Sequence, residues 1–230
     1  QNLTLHTKVV IMATLFLIIS STLIIFLLEY ANPKSIGSFS LFDKILSSYF
    51  IAINYRTAGF NTLDMSGLHD ASLFFGSLFM VIGGAPGGTA GGMKITTVVV
   101  LLFYAYWSIR NGRVRIFNHE IPQEIISRAF IIAVGSAVYI VIAVIFLSLL
   151  ESEFNFIRLL FETSSAFATV GISVGDGGDL SLCALFSNPS KIIIIIMMLS
   201  GRIGVFAFLL SVFQQDKAIH IKFPKGKIYL

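Results

Sequence analysis

The chain has 230 residues, of which 56% are hydrophobic and only 12% charged, against about 25% charged in an ordinary soluble domain, so a water-facing globular fold is excluded. The mean hydropathy of +0.87 and the 22 phenylalanines suit lipid contact and helix packing, and point to an integral membrane protein. A net charge of +4 would fit nucleic acid, but the basic residues group by topology, as set out below, and the single Cys183 excludes an internal disulfide.

Residues 9–28 carry no charge, and at about 20 residues they match the length of one membrane span. The run is longer than a signal-peptide core and lacks a small-residue cleavage site, so it is predicted to be a spanning helix. The chain opens on Gln1 rather than Met, which suggests a piece of something longer. Asn32, Pro33, Lys34 and Gly37 predict a loop. Residues 41–54, with Asp43 and Lys44 in the first turn, are apolar but too short to cross; runs of about 10–14 apolar residues are more often re-entrant. The turn Tyr55-Arg56-Thr57-Ala58-Gly59-Phe60-Asn61-Thr62 follows, then a polar patch at 64–70.

Residues 71–107 are almost continuously apolar. As one helix, about 37 residues would reach roughly 55 Å, far beyond a bilayer core of ~30 Å. The run is broken by Gly83, Gly84, Ala85, Pro86, Gly87, Gly88, Thr89, Ala90, Gly91 and Gly92. No helix persists through such a stretch, where each Gly costs up to ~1 kcal/mol and Pro ~3 kcal/mol. The expectation is a helix, an irregular loop at membrane depth and a second helix. Irregular backbone at that depth must be buried in protein or line a water-filled cavity.

Residues 110–128 read as a polar linker and 125–150 as the next span. Residues 154–167 form a second short segment, followed by Ala168-Thr169-Val170-Gly171-Ile172-Ser173, a loop at 175–189, a last span at 191–213 and a basic tail. The second half registers on the first without a gap: Phe42 with Phe154, Thr57 with Thr169, Gly59 with Gly171. The chain therefore reads as two copies of one plan: long helix, short re-entrant helix, Thr-x-Gly turn, long helix.

Lys8, Arg110, Arg113, Arg115, Arg128, Lys217, Lys222, Lys225 and Lys227 fall on one side, which the positive-inside rule assigns to the cytoplasm. Glu29, Asp43, Asp64, Asp70, Glu151, Glu153, Asp176 and Asp179 fall on the other, so both short segments enter from outside. Topology thus accounts for the basic residues, and nucleic acid is set aside. Enzyme chemistry finds no footing either. His6, His69, His119 and His220 are scattered without metal-ligand spacing, and no nucleophile triad or carboxylate pair is gathered in one place. The Gly run is not a phosphate loop, because Met93 separates Gly92 from Lys94 and no strand precedes it.

The Thr-x-Gly turns carry the chemistry. A cation entering a membrane must have its hydration shell replaced, and inward-pointing backbone carbonyls do this without formal charge. Glycine supplies the backbone angles such a run needs. A short helix ending at the turn aims its negative end at the pathway.

With these motifs the chain resembles the potassium transporter superfamily that includes TrkH, KtrB and related plant and fungal proteins, and most closely the bacterial KtrB type. Arg56 to Thr62 is similar to the third pore-loop filter of that family and Thr169 to Ser173 to the fourth. Gly84 to Lys94 resembles its intramembrane gating loop, and Ser200-Gly201-Arg202-Ile203-Gly204 the Gly-Arg-x-Gly of its last helix. The resemblance implies an all-α integral membrane fold with two helix–pore-loop–helix repeats of a pseudo-fourfold, potassium-channel-like pore. Residues 1–116 would be the third repeat and 117–230 the fourth. The chain would then be the C-terminal half, or a natural half-size protein that dimerises. Carbonyls of Thr57, Ala58, Gly59, Phe60, Thr169, Val170, Gly171 and Ile172 would form half of the filter for K+, with no organic cofactor.

The implied partners are a second pore subunit and a cytoplasmic nucleotide-binding regulatory ring, and the implied location is the bacterial inner membrane. A sodium-permeable transporter of the same fold and a non-conducting membrane scaffold are the rival readings. Ala168, Ala85 and Gly88 depart from the family's usual residues. Two basic residues at membrane depth need partners or roles. Lys94 either reaches a cavity or interface from a helix start, or acts as a gate element beneath the filter, which the family favours. Arg202 is expected to donate to carbonyls of the 83–92 loop, or else to pair with Glu162 or another acid. Glu162 either bonds filter N–H groups from behind or faces an outer crevice. Cys183 reads as a small apolar filler.

Overall fold

The computed structural model describes residues 3–110, 112–175, 177 and 180–204. The lysines at 217, 222, 225 and 227, His220, Asp176, Asp179 and residues 205–213 of the expected last span lie outside them.

Helix α1 (Leu5–Glu29) is the first long apolar element, with mean hydropathy 2.7 over its most apolar window. Thr4 Oγ1 caps it by accepting from Thr7 N at 3.3 Å. Helix α2 (Leu41–Asn54) has the bounds that its apolar run predicts. Ser40 and Asp43 close its N-terminus: Ser40 Oγ accepts from Asp43 N at 3.3 Å and donates to Asp43 Oδ2 at 2.6 Å. Lys44, buried in the first turn, donates to Tyr30 O at 2.7 Å and lies over the Tyr30 ring, so α2 is pinned to the end of α1.

Helices α3 (Asp70–Val81) and α4 (Ile95–Ile109) are the two halves of the long apolar run, separated by the Gly-rich stretch. Helix α5 (Gln123–Leu150), mean hydropathy 2.9, is the second element long and apolar enough to cross a membrane. Helix α6 (Phe156–Phe167) starts two residues later than its apolar run, because Phe154 leaves the helix axis to pack on Phe186, with ring centres 5.7 Å apart. Helix α7 (Asn188–Ile203) starts three residues earlier than expected, with Pro189 in its first turn, where a missing N–H costs nothing. The described helix ends at Ile203, where Gly204 takes φ +94°.

The expected polar linker is shorter and more ordered than its composition suggests. Strands β1 (Arg115–Ile116) and β2 (His119–Glu120) form an antiparallel hairpin, a small exception to an all-helical chain. Phe117 and Asn118 turn it at φ +47° and +65°. Val114 and Ile116 bury against Val9, Val100, Ile126 and Ala129, and this small core fixes the start of α5 at Gln123.

The helices pack as two similar sets. In the first, α1 contacts α2 and α3; in the second, α5 contacts α6 and α7, while α3 lies on α6 and joins the sets. The main core draws on both: Ile51, Tyr55, Leu73 and Met80 from the first meet Phe161, Ala168, Val170 and Ile172 from the second. Tyr55 and Phe167, register equivalents at the ends of the two short helices, are both fully buried.

One polar cluster and one close packing contact hold the frame. Glu29, 0% exposed, accepts from Asn32 Nδ2 at 2.5 Å, Ser35 Oγ at 2.6 Å, His69 N at 2.9 Å and the Ser72 hydroxyl, and so ties the end of α1 to the start of α3. Gly201 seats α7 on α6, where a Cβ would stand 1.8 Å from Phe167 O. Gly201→Ala is therefore expected to separate these helices, and overpacking of this kind costs about 3 kcal/mol at the upper end of its usual range. The check is thermal unfolding in detergent. A Tm drop well beyond that of Ile195→Ala, an exposed position on the same helix, is expected; equal Tm values would refute the contact.

Candidate functional site

The backbone of the two Thr-x-Gly turns follows one pattern. Thr57 and Gly59 have φ +72° and +77°, and Thr169 and Gly171 have φ +54° and +85°, whereas the residues between them stay on the ordinary negative side. A β-branched residue at positive φ is an outlier, and two at equivalent positions cost about 1–3 kcal/mol each. Strain repeated at matching sites marks a backbone shape that the surrounding fold enforces. Positive φ at alternate residues, Thr57 and Gly59 in one turn and Thr169 and Gly171 in the other, gives the two turns the same backbone course. Helices α2 and α6 end at these turns and add their negative C-terminal ends.

The turns meet each other. A Cβ on Gly59 would lie 2.6 Å from Val170 O, and one on Gly171 would lie 3.9 Å from Gly59 Cα. Ala58, Gly59, Phe60 and Gly171 are exposed on the open side of the pair, while Val170 and Ile172 are buried in the main core. The rings of Tyr55 and Phe161 pack edge to face at 6.3 Å beneath the meeting point.

Each turn is braced from behind by a different polar side chain. In the first, Asn54 Oδ1 accepts from Phe60 N at 2.9 Å. In the second, Glu162, 4% exposed, accepts through Oε1 from Ser173 Oγ at 2.5 Å and Val174 N at 2.8 Å, and through Oε2 from Cys183 Sγ at 3.3 Å. Ser173 Oγ in turn accepts from Gly175 N at 3.0 Å and Leu182 N at 2.9 Å. Glu162 thus bonds the backbone just beyond the second turn, at Val174, rather than an N–H of residues 169–172. It also lines a cavity of about 380 Å³ with Ser165, Thr169, Ser173, Cys183 and Met198. Cys183 is a hydrogen-bond donor here, not only an apolar filler. Burial, and then the Glu162 carboxylate, push its thiol up to about 12 and keep it protonated.

The Gly-rich stretch is a loop closed at its neck. Met93 N donates to Val81 O at 3.0 Å, Gly83 N to Met93 O at 2.7 Å and Ile95 N to Gly84 O at 3.1 Å. Its outer part is open: Pro86, Gly87, Gly88 and Thr89 are exposed, and Gly87 has no neighbour a Cβ would meet. Lys94, at the head of α4, folds back and donates to Ala90 O at 2.6 Å and Gly88 O at 3.4 Å. One turn reaches the neck of the loop and the other the loop itself. Arg56 Nη1 donates to Ile82 O at 3.2 Å, and Thr169 Oγ1 accepts from Gly91 N at 2.9 Å.

Arg202 departs from expectation. It is exposed, and among the described residues it makes neither the hydrogen bonds expected to the 83–92 loop nor a pair with Glu162. The cause is helical geometry. Helix α7 turns Met197, Ser200 and Gly201 towards the core, with Ser200 Oγ donating to Tyr139 Oη at 2.8 Å, and Arg202 lies about 100° further round the axis. Two of the loop carbonyls that Arg202 is expected to hold, those of Gly88 and Ala90, are taken by Lys94.

A family model for TrkH, cation transport protein, matches residues 2–221. The chain is 36% identical over its whole length to Ktr system potassium uptake protein B of Bacillus subtilis, covering 50% of that protein. It is 32% identical over 97% of its length to the protein of the same name in Vibrio alginolyticus, covering 48% of it. It is also 30% identical to the potassium/sodium uptake protein NtpJ of Enterococcus hirae, covering 51%. The chain thus spans about half the length of the curated relatives it matches. Among solved structures, the potassium transporter TrkH from Vibrio parahaemolyticus superposes with a TM-score of 0.74 at 19% identity, over 88% of this chain and 43% of that one, which speaks for the fold alone. Family model, relatives and fold agree, and the chain belongs to the TrkH family of cation transport proteins.

Proposed function

We propose that the chain supplies half of the ion-conducting path of a potassium uptake transporter in a bacterial inner membrane. The observation that carries the reading is the pair of turns meeting at Gly59 and Gly171, with left-handed residues at equivalent positions and a helix C-terminus behind each. In this reading K+ sheds water against the carbonyls of Thr57, Ala58, Gly59 and Phe60 and those of Thr169, Val170, Gly171 and Ile172. The 83–92 loop lies beneath the turns as a gate, stitched by Lys94. Residues 1–116 and 117–230 are two of four repeats, and the pore needs two more, from a preceding half or a second copy. A homodimer of pore subunits on a cytoplasmic nucleotide-binding ring completes the assembly that the resemblance implies. Transport is the whole task, and no reaction is catalysed.

Growth at low potassium tests the reading. The chain is expressed in a bacterium lacking its uptake systems, alongside a Gly59→Ser, Gly171→Ser double variant and the same pair in the full-length transporter. Rescue by either unsubstituted form, lost with the double substitution, is the expected result. Rescue that survives the substitutions in both forms overturns the filter assignment. Rb+ uptake in competition with Na+ separates a potassium path from a mixed potassium/sodium one.

A further inference from the structure

We propose that the Thr169 hydroxyl is the latch that holds the 83–92 loop shut, fastening a loop that belongs to the first repeat onto the turn of the second. The inference rests on the reading of the turns as a filter and the loop as its gate, and adds the residue that couples them.

The loop is tied to itself almost everywhere. Its neck is closed by backbone bonds between 81–84 and 93–95, and Lys94 ties Ala90 and Gly88 to the head of α4. These contacts travel with the loop and do not decide where it sits. Arg56 reaches only Ile82, at the neck, and it comes from the first repeat. Among the described residues, one hydrogen bond joins the 83–92 stretch to the second repeat, from Gly91 N to Thr169 Oγ1 at 2.9 Å. The fit around it is close. A Cβ on Gly91 would come within 2.7 Å of both Thr169 Oγ1 and Cγ2, and one on Gly92 within 3.4 Å of Ala168. The 91–92 limb thus lies flat on the start of the second turn, while the 86–89 limb is exposed. Thr57, the register equivalent of Thr169, makes no such bond among the described residues, so the two threonines divide their work: one turn carries the latch and the other does not.

A single neutral hydrogen bond suits a gate. It is strong enough to bias the loop and weak enough to break at each opening. The hydroxyl also sits on a turn residue, so any shift of Thr169 moves the acceptor that Gly91 depends on. Loop closure and turn geometry are therefore linked through one oxygen.

The test is hydrogen–deuterium exchange across 83–92 in the purified full-length transporter, with K+ uptake measured in parallel. Thr169→Val keeps the shape and removes the acceptor. It is expected to speed Gly91 exchange about fivefold, the equilibrium factor of one net hydrogen bond, and to raise uptake in step. Thr169→Ser keeps the acceptor and is expected to leave exchange unchanged. Thr169→Ala serves where the valine variant does not fold, with the same expectation. Exchange equal to wild type in the variants without a hydroxyl overturns the latch. So does lost uptake with unchanged exchange, which would make Thr169 an ion ligand only. An unsubstituted protein that moves no K+ refutes the transport reading instead, and the exchange comparison still reports on the latch.

Discussion

Gly59→Ser is expected to lower potassium-over-sodium discrimination by about tenfold or more, equivalent to ~1.4 kcal/mol. Two costs converge at this position. At φ +77° an L-residue is strained, by about 1–2 kcal/mol for a left-handed conformation. Its Cβ would also stand 2.6 Å from Val170 O, a carbonyl of the facing turn. That oxygen belongs to backbone and cannot rotate away as a side chain would, so relief comes only by moving one turn against the other and changing the carbonyl spacing. Gly171→Ser is expected to do less. Its φ of +85° carries the same strain, but a Cβ there meets nothing nearer than Gly59 Cα at 3.9 Å. Rb+ uptake against Na+ in the reconstituted full-length protein ranks the two. Equal ratios in Gly59→Ser and wild type would show that these carbonyls do not set selectivity.

The asymmetry between the two glycines was not legible in the chain, where both occur as Thr-x-Gly. What was legible has local causes. An apolar run too short to span gives α2 its bounds, and a Gly and Pro cluster separates α3 from α4. Register without gaps brings the paired threonines and glycines to equivalent backbone angles. What was not legible depends on direction. Depth along its helix puts Arg202 within the membrane, but the rotation that brings Gly201 against Phe167 carries Arg202 outwards. Glu29 read as one of several outer acids, yet its donors come from 32, 35, 69 and 72, and no spacing rule joins those positions. Thr169 and Gly91 are equally remote in sequence. Asn54 left the clearest unread signal, an amide at the end of a short apolar helix, one turn before a backbone that needs an acceptor. For Cys183 there was no such signal.

Glu162→Ala is expected to abolish potassium uptake, whereas Glu162→Gln keeps a measurable part of it. The carboxylate is buried and collects donors from Ser173, Val174 and Cys183. Alanine leaves them without an acceptor, and a buried donor left unsatisfied costs about 1–3 kcal/mol. The segment that loses its brace is the one leading out of the second turn. The damage therefore reaches the carbonyls of Gly171 and Ile172 before it reaches the rest of the fold. Glutamine can still present one oxygen to Ser173 and Val174, but its amide N–H then faces the Cys183 thiol, also a donor. Adding Cys183→Ala to Glu162→Gln removes that conflict and is expected to recover uptake, although Cys183→Ala alone lowers it slightly. The thiol's own titration gives a second reading. Its folded value is raised from 9.0 to about 12, so the bond to Glu162 is fully present below 9.0 and is lost as pH rises towards 12. The thiol therefore gives no cause for the ratio of wild-type to Cys183→Ala uptake to change between neutral pH and 9.0. A double variant no better than Glu162→Gln would place the brace elsewhere.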